Sequence, residues 1–423
     1  MELASVGAAS RSRAKAFRKA LRVLARPVRR AAGEGPFVLQ PYRGYGSRDE
    51  VFLIGRVFRQ PTFGRSVHEG TPGRHLIDIA RGILRHGIAG ATLSARFCGA
   101  EQRVATDRDG YFRIHIRPAR PPPADRLWHP VSLELMEPAR VRAEGELFVP
   151  PATCRRVVIS DIDDTVMYTG VASKAKMLWR LFIQGPRSRV AFPGMAALLR
   201  ALHHGPSGAE LNPMLYVSRG PWSIYEVLDE FFNLHLIPIG PLLFLREWGL
   251  TLQNPWPRRA RDHKLELIRN MLELYRDLPF VLIGDSGQHD PEIYARIVHE
   301  HPGRVLAIYI RNVSRAAERR QAIEALAVEV ADAGSTLLLA ADSLAMARHA
   351  AQHQLVSADV LSEVSEEREA QGDEADTKPI HAIEGQNREE TRRAVQWGEL
   401  DEALDKQEEE NVNVVVEPGD GKR

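Results

Sequence analysis

The sequence predicts an α/β protein: a doubly wound parallel sheet preceded by a small β-sandwich domain. Three observations predict it. From Pro193 onward, short apolar runs alternate with amphipathic stretches, the pattern of a parallel sheet with helical crossovers. Runs within the region end on Asp or Ser (Asp161, Ser218, Asp285), so polar groups gather where α/β sheets bind ligands. Upstream, between residues 36 and 152, short strands recur with tight-turn signals, as a small sandwich requires.

The length of 423 residues allows two or three domains with ample core. With 44% hydrophobic and 26% charged residues, the composition is that of an ordinary globular protein. No run of about eighteen apolar residues occurs, so no spanning helix is expected. Two cysteines, Cys98 and Cys154, argue against a disulfide framework and fit a reducing, cytoplasmic compartment. The formal net charge of +2 conceals an asymmetry. Residues 359–423 hold 20 acidic against 8 basic residues, which leaves 35 acidic and 49 basic residues upstream, or +14. A basic body suits an anionic partner.

The first 35 residues lack the apolar core of a secretory signal and are strongly basic from Arg11. Phe17, Leu21, Leu24 and Val28 fall on one helical face, and Arg11, Lys15, Arg18, Arg22 and Arg29 on another. Pro27 ends or kinks that helix near Arg26. Such a helix reads as lying on an anionic membrane surface; a solvated docked helix and a disordered basic arm are the alternatives.

Residues 36–150 read as the β domain. Strands are expected over residues 51–58, 91–97, 131–136 and 146–150. Residues 106–116 hold an Asp109-Gly110 turn feeding an alternating strand, a hairpin signal. The Thr-Asp-x-Asp-Gly-Tyr-Phe phrase resembles the transthyretin-like repeat of carboxypeptidase regulatory domains. Asp107 and Asp109 read as turn residues ahead of calcium ligands. Pro150-Pro151 marks the boundary.

Residues 151–355 form the α/β domain. The β-branched Val157-Val158-Ile159 suits a strand buried on both faces. Strands are expected over 214–217, 242–245, 280–283, 305–310 and 336–339, and helices over 196–203, 223–232, 263–275, 291–301 and 343–353. Residues 170–191 show no strand pattern and read as a short helical insertion; its Met177, Leu178, Trp179, Leu181 and Phe182 pack on the body or touch acyl chains. Residues 356–423 are acidic and poor in aromatics, and read as a disordered tail.

Asp161, Asp163 and Asp164 directly follow the first core strand. Carboxylates are costly to bury unpaired, so the cluster calls for a hard cation with oxygen ligands, Mg²⁺ most simply. An acid-rich polar turn is the bland alternative. Ser218 ends a second strand, Lys264 opens an amphipathic helix, and Asp285 and Asp290 follow a third strand. In this order the four segments resemble the motifs of the haloacid-dehalogenase-like phosphohydrolases. The wording is narrower: Ser-Asp-Ile-Asp-Asp-Thr at 160–165, Phe-Pro-Gly-Met at 192–195, Tyr-Val-Ser at 216–218 with Pro221-Trp222, Ile-Gly-Asp-Ser-Gly-Gln at 283–288 with Asp-Pro-Glu-Ile-Tyr at 290–294, and Ala-Ile-Tyr-Ile-Arg at 307–311. Together these resemble the actin-patch-associated phosphatidate phosphatase family, over residues 153–315.

The resemblance implies a haloacid-dehalogenase-like fold with a minimal cap, supplied by the insertion at 170–191. It implies a Mg²⁺-dependent phosphomonoesterase with an aspartyl-phosphate intermediate, converting phosphatidate to diacylglycerol. Asp161 would be the nucleophile, and Asp163 the acid toward the leaving oxygen and then the base toward water. Ser218 and Lys264 would hold the phosphoryl group. Asp161, the backbone carbonyl of Asp163, Asp285 and Asp290 would hold the metal, Asp290 directly or through water. Arg219 stands where the family often has a small polar residue, so it grips phosphate or only pairs with a carboxylate; Arg311 is a head-group candidate. The implied partner is a phospholipid at an anionic membrane surface, with peripheral attachment to its inner face; nucleic acid is not expected. A phosphatase for soluble or nucleic-acid phosphomonoesters would use the same residues. A catalytically idle lipid-surface adaptor is the remaining alternative.

Overall fold

The computed structural model describes residues 37–59, 87–163, 165–166, 192–218, 222–244, 260–314 and 316–376. The basic arm, the insertion at 170–191, Asp164, Arg219 and residues 377–423 lie outside them. Among the described residues no helix is long and apolar enough to cross a membrane.

The first part of the chain is all β: β1 (Phe37–Pro41), β2 (Gly44–Gly46), β3 (Val51–Arg59), β4 (Thr92–Phe97), β5 (Ala100–Ala105), β6 (Tyr111–Ile116), β7 (Trp128–Glu137) and β8 (Val141–Phe148). They join in one hydrogen-bonded sheet, ordered β1-β3-β2-β8-β7-β4-β5, with β6 attached to β3. Alternation sets the inner face: Val51, Leu53 and Val57 of β3 are buried with Leu39, Phe112, Leu133 and Leu147.

The Asp-Gly turn is present, but its strand pairs elsewhere. Asp107 Oδ1 accepts from the amides of Asp109 (3.1 Å) and Tyr111 (2.8 Å), and Asp107 Oδ2 pairs with Arg113 at 2.9 Å. These contacts give Asp107 a turn-building role. Gly110 has a positive φ of 82°, and its carbonyl accepts from Val57 N at 2.8 Å. The turn therefore hands β6 to β3, antiparallel with Val51 opposite Ile116, instead of folding it back on β5 as the hairpin signal predicts. Pairing with β3 lets Phe112, Ile114 and Ile116 enter the core, whereas β5 alternates between intermediate and exposed residues.

The second part is a six-stranded sheet, parallel throughout: β9 (Val157–Asp161), β10 (Met214–Ser218), β11 (Leu242–Phe244), β12 (Phe280–Asp285), β13 (Val305–Arg311) and β14 (Leu337–Ala340), in the order β11-β10-β9-β12-β13-β14. On one face lie α1 (Met195–His204), α2 (Tyr225–Leu234), α6 (Ser343–Gln352) and α7 (Val360–Asp376). On the other lie α3 (Ala260–Leu274), α4 (Asp290–Glu300) and α5 (Ala317–Asp332). Period two divides the strands: Val158 packs on the first face, Val157 and Ile159 on the second. The chain runs outward from β9 to β11, then returns to β12 on β9's other side. The crevice above the carboxyl ends of β9 and β12 is thus the switch point where such sheets bind ligands.

Two helices depart from the expectation. Helix α5 occupies a stretch to which the sequence assigns no element; it buries Ile323 and Val330 and exposes much of the rest. Helix α7 lies in the stretch read as the start of a disordered tail. Val356, Val360 and Val364, four apart, are buried with α1 and α6. Glu367 pairs with Arg200 at 2.8 Å and Arg368 with Asp342 at 3.0 Å. Glu363, Glu366 and Glu369 of α7 are exposed, and such acidic residues are why composition alone reads the stretch as tail.

The two sheets meet around Tyr42. Its ring stacks on Trp222 (4.4 Å between centroids, 15° between planes) and is buried in the α/β core. Gln40 donates to Glu226 at 2.9 Å, and Arg43 pairs with Asp229.

Candidate active site

Four of the polar residues singled out in the α/β region close strands, and two more lie in the helices beside them. Asp161 closes β9, Ser218 closes β10, Asp285 closes β12, and Arg311 closes β13. Asp290 begins α4, and Lys264 lies in the first turns of α3. Because β9 and β12 are adjacent and parallel, Asp161 and Asp285 are delivered to the same crevice. Gly284 lets Asp290 approach: a Cβ there would meet Asp290 Oδ2 at 2.3 Å.

Lys264 Nζ donates to Asp161 Oδ1 at 2.7 Å and to Asp290 Oδ1 at 2.6 Å. Asp285 N donates to Asp290 Oδ2 at 3.3 Å. Asp285 Oδ1 accepts from the amides of Gly287 (2.7 Å) and Gln288 (3.0 Å), so the following loop folds around that carboxylate. Ser218 Oγ donates to Asp163 Oδ2 at 3.5 Å, a long contact. Asp161, Lys264, Asp285 and Asp290 are each buried at 1% exposure or less.

Burial at this depth opposes charge on Asp161 and on Lys264. It pushes the Asp161 carboxyl well above its usual value; Lys264 pulls it down, and Asp290, Asp163 and Asp285 add to the rise. Burial likewise opposes the Lys264 ammonium, yet Asp161 and Asp290 outweigh it and hold that pKa well above normal. The lysine is therefore charged, and three carboxyl groups share the site with that single cation. One oxygen from each of Asp161, Asp285 and Asp290 lies within 4.8 Å of the others. Asp161 Oδ2 is buried and has no hydrogen-bond partner among the described residues. An all-oxygen set of three carboxyl groups with an orphaned oxygen fits a hard divalent cation such as Mg²⁺.

Arg311 is brought to the rim but engaged with the protein. Its guanidinium donates to Ser343 Oγ at 2.7 Å and lies 3.9 Å over the Phe192 ring. The sequence reading misses Arg319 of α5, whose guanidinium reaches the carbonyls of Ser286 (2.8 Å) and Gln288 (2.5 Å) in the loop between Asp285 and Asp290. Main-chain acceptors leave no trace in a sequence, so only the fold reveals this contact.

Residues 156–312 match the family described as the catalytic domain of phosphatidate phosphatase APP1. This segment belongs to that family. It contains Asp161, Asp163, Ser218, Lys264, Asp285, Asp290 and Arg311, and it excludes the first sheet, α5, α6 and α7. The chain is 32% identical over 155 residues to phosphatidate phosphatase APP1 of Saccharomyces cerevisiae, covering 36% of this chain and 25% of the yeast protein. It is also 32% identical over 160 residues to an uncharacterized protein of Schizosaccharomyces pombe, covering 37% and 25% respectively. The chain thus spans about a quarter of the length of these relatives. Among solved structures, a carbohydrate acetylesterase from Xanthomonas citri aligns over 70% of this chain and 66% of its own, at 10% identity and a TM-score of 0.25. A likeness of that size carries no argument.

Proposed function

We propose that the chain is a Mg²⁺-dependent phosphoric monoester hydrolase acting on phosphatidate, which it cleaves to diacylglycerol and phosphate through an aspartyl-phosphate on Asp161. The observation that carries this reading is the buried Asp161–Lys264–Asp290 bridge beside Asp285, within a segment of the APP1 catalytic family. The six-stranded parallel sheet and its switch-point site support a haloacid-dehalogenase-like fold for residues 151–355, and the eight-stranded sheet is read as a sandwich-like domain.

In this account an oxygen of Asp161 attacks phosphorus, and the bond from phosphorus to the glycerol oxygen breaks. Asp163 donates a proton to that leaving oxygen. A water then attacks the phosphorus of the acyl phosphate, Asp163 takes its proton, and Asp161 is regenerated as phosphate departs. Lys264 holds Asp161 in a fixed position and presents positive charge where negative charge develops. Ser218, with its hydroxyl next to Asp163, donates to a phosphoryl oxygen once substrate displaces the long 3.5 Å contact. Asp161, Asp285, Asp290 and the Asp163 carbonyl would hold the cation, which offsets the repulsion between carboxylate and phosphate when bound. Arg219 and Arg311 are proposed to serve the head group. The basic arm is proposed to bring the enzyme to an anionic leaflet, where each Lys or Arg gains on the order of 1 kcal/mol.

The test is phosphate release by the full chain from phosphatidate, lysophosphatidate, sugar phosphates and phosphorylated oligonucleotides. Preference for phosphatidate in vesicles, reduced when residues 1–35 are removed while a short soluble phosphomonoester is hydrolysed unchanged, supports the lipid reading. Preference for a soluble ester with no response to the arm replaces it with the broader phosphatase.

A further inference from the structure

Arg319 lies in the first turn of α5, beyond the segment that matches the catalytic family. Its guanidinium makes contacts in three directions. Nε donates to the Ser286 carbonyl at 2.8 Å, and an Nη donates to the Gln288 carbonyl at 2.5 Å. The two Nη groups grip Glu292, one of them at 3.1 Å to Oε2. Glu292 stands in the first turn of α4, two residues after Asp290. The planar fork therefore spans the whole connection from Asp285 to the start of α4.

That connection is held from its other side as well. Ser286 Oγ accepts from the amides of Val313 (2.9 Å) and Ser314 (3.0 Å), and Ser286 N donates to the Arg311 carbonyl at 2.9 Å. The amides of Gly287 and Gln288 are turned inward onto Asp285 Oδ1. The amides of Gly287 and Gln288 are taken by Asp285 and the carbonyls of Ser286 and Gln288 by Arg319, so the loop that joins Asp285 to Asp290 is tied on both sides. The same guanidinium is favoured by the negative charges of Glu292, Asp285 and Asp290. A lysine would supply charge without the fork: three donors on one nitrogen cannot reproduce the four contacts that Arg319 makes from three nitrogens.

We propose that Arg319 is a positioning residue for the metal centre: by clamping residues 286–288 and Glu292 it sets the spacing of Asp285 and Asp290, and so the affinity of the site for a divalent cation. This rests on the metal-dependent reading above. Partners behind metal ligands commonly change affinity by 10- to 100-fold when removed.

The experiment compares the full chain with Arg319→Lys, Arg319→Gln and Asp285→Ala. Mn²⁺ binding is read by electron paramagnetic resonance, and amide exchange by mass spectrometry. Both Arg319 variants are expected to bind Mn²⁺ about tenfold more weakly. Exchange should speed up in peptides covering residues 285–289 and stay unchanged in β9 and α3, which reports an intact fold. The Mg²⁺ concentration for half-maximal phosphate release should rise by the same factor, while kcat at saturating Mg²⁺ changes less than about twofold. Wild-type Mn²⁺ affinity in both Arg319 variants, with affinity lost in Asp285→Ala, overturns this inference and leaves the metal reading standing. No Mn²⁺ binding by the unmodified chain overturns both.

Discussion

The two ends of β9 each bury charge, and they balance it differently. At the amino end Arg156 pairs with Glu210 at 3.2 Å and donates to the Leu355 carbonyl at 2.8 Å. Asn212 joins the network, giving its Nδ2 to Glu210 (2.7 Å) and to the Leu202 carbonyl (2.9 Å). It also accepts from the amides of Arg155 (3.0 Å) and Arg156 (3.2 Å). One cation meets one anion, and main-chain groups take up most of what remains. At the carboxyl end, one lysine is shared by two carboxylates with a third beside them, and an Asp161 oxygen stays buried without a hydrogen-bond partner among the described residues. Arg156 and Glu210 keep about 7% exposure, whereas Asp161, Lys264, Asp285 and Asp290 keep 1% or less. What distinguishes the carboxyl end is its surplus of carboxyl groups over cations and a leftover acceptor, whereas the leftover buried atom at the amino end, Arg156 Nε, is a donor.

The comparison is broken most severely by Asp161→Asn. Phosphate release should fall by about 10⁴-fold or more, as expected when a nucleophile is lost. Thermal stability without divalent cation should be unchanged or higher, because one member of a like-charged cluster is neutralised. Retained turnover in a folded variant removes Asp161 from the role of nucleophile. Lys264→Met should cost about 10²- to 10³-fold in rate. It should also lower the melting temperature in chelator, with partial recovery in Mg²⁺, because two buried carboxylates lose their shared cation.

The balanced end should show the opposite behaviour. Glu210→Ala leaves Arg156 buried without its carboxylate and should destabilise the fold by about 3–5 kcal/mol in a denaturant titration. The rate per folded molecule should stay within about twofold of wild type, since that end lies at the opposite end of β9 from Asp161. A rate loss larger than the folded fraction explains would join the two ends into one functional unit. A smaller, sharper contrast lies within the carboxyl end. Asp285→Ala should weaken apparent Mg²⁺ affinity more than Asp290→Ala, because Asp290 gives one oxygen to Lys264 and the other to the Asp285 amide. Equal shifts in the two Mg²⁺ titrations would mean that Asp290 contributes as much to the cation as Asp285.

The unbalanced end was the more legible in sequence. Val157, Val158 and Ile159 declare a strand buried on both faces, so carboxylates directly after it stand out as an energetic problem that needs a solution. Lys264 and Asp285 could be paired with them because each sits at a fixed place in a strand–helix alternation, and parallel pairing then brings those places together. The balanced end left no such signal: Glu210 and Asn212 sit in an irregular segment, and their main-chain contacts depend on tertiary position alone. The partner of β6 was hidden for a similar reason, since a turn specifies local geometry and not which distant strand is met. Helix α7 was obscured by its own composition. Val356, Val360 and Val364 carry its packing, but the acidic residues around them dominate any reading by charge. Arg319 was beyond reach because its acceptors in residues 286–288 are carbonyls, identical in every residue type.

The most direct test of the unpaired charge at the carboxyl end of β9 is a Mg²⁺ titration of phosphate release from phosphatidate in mixed vesicles, run in parallel on the full chain, Glu210→Ala and Asp161→Asn. The account predicts no release in chelator, a hyperbolic rise with Mg²⁺ for the wild-type chain, the same midpoint for the folded fraction of Glu210→Ala, and a flat line near zero for Asp161→Asn. Full release in chelator, or a metal-dependent rise in Asp161→Asn equal to wild type, would contradict it.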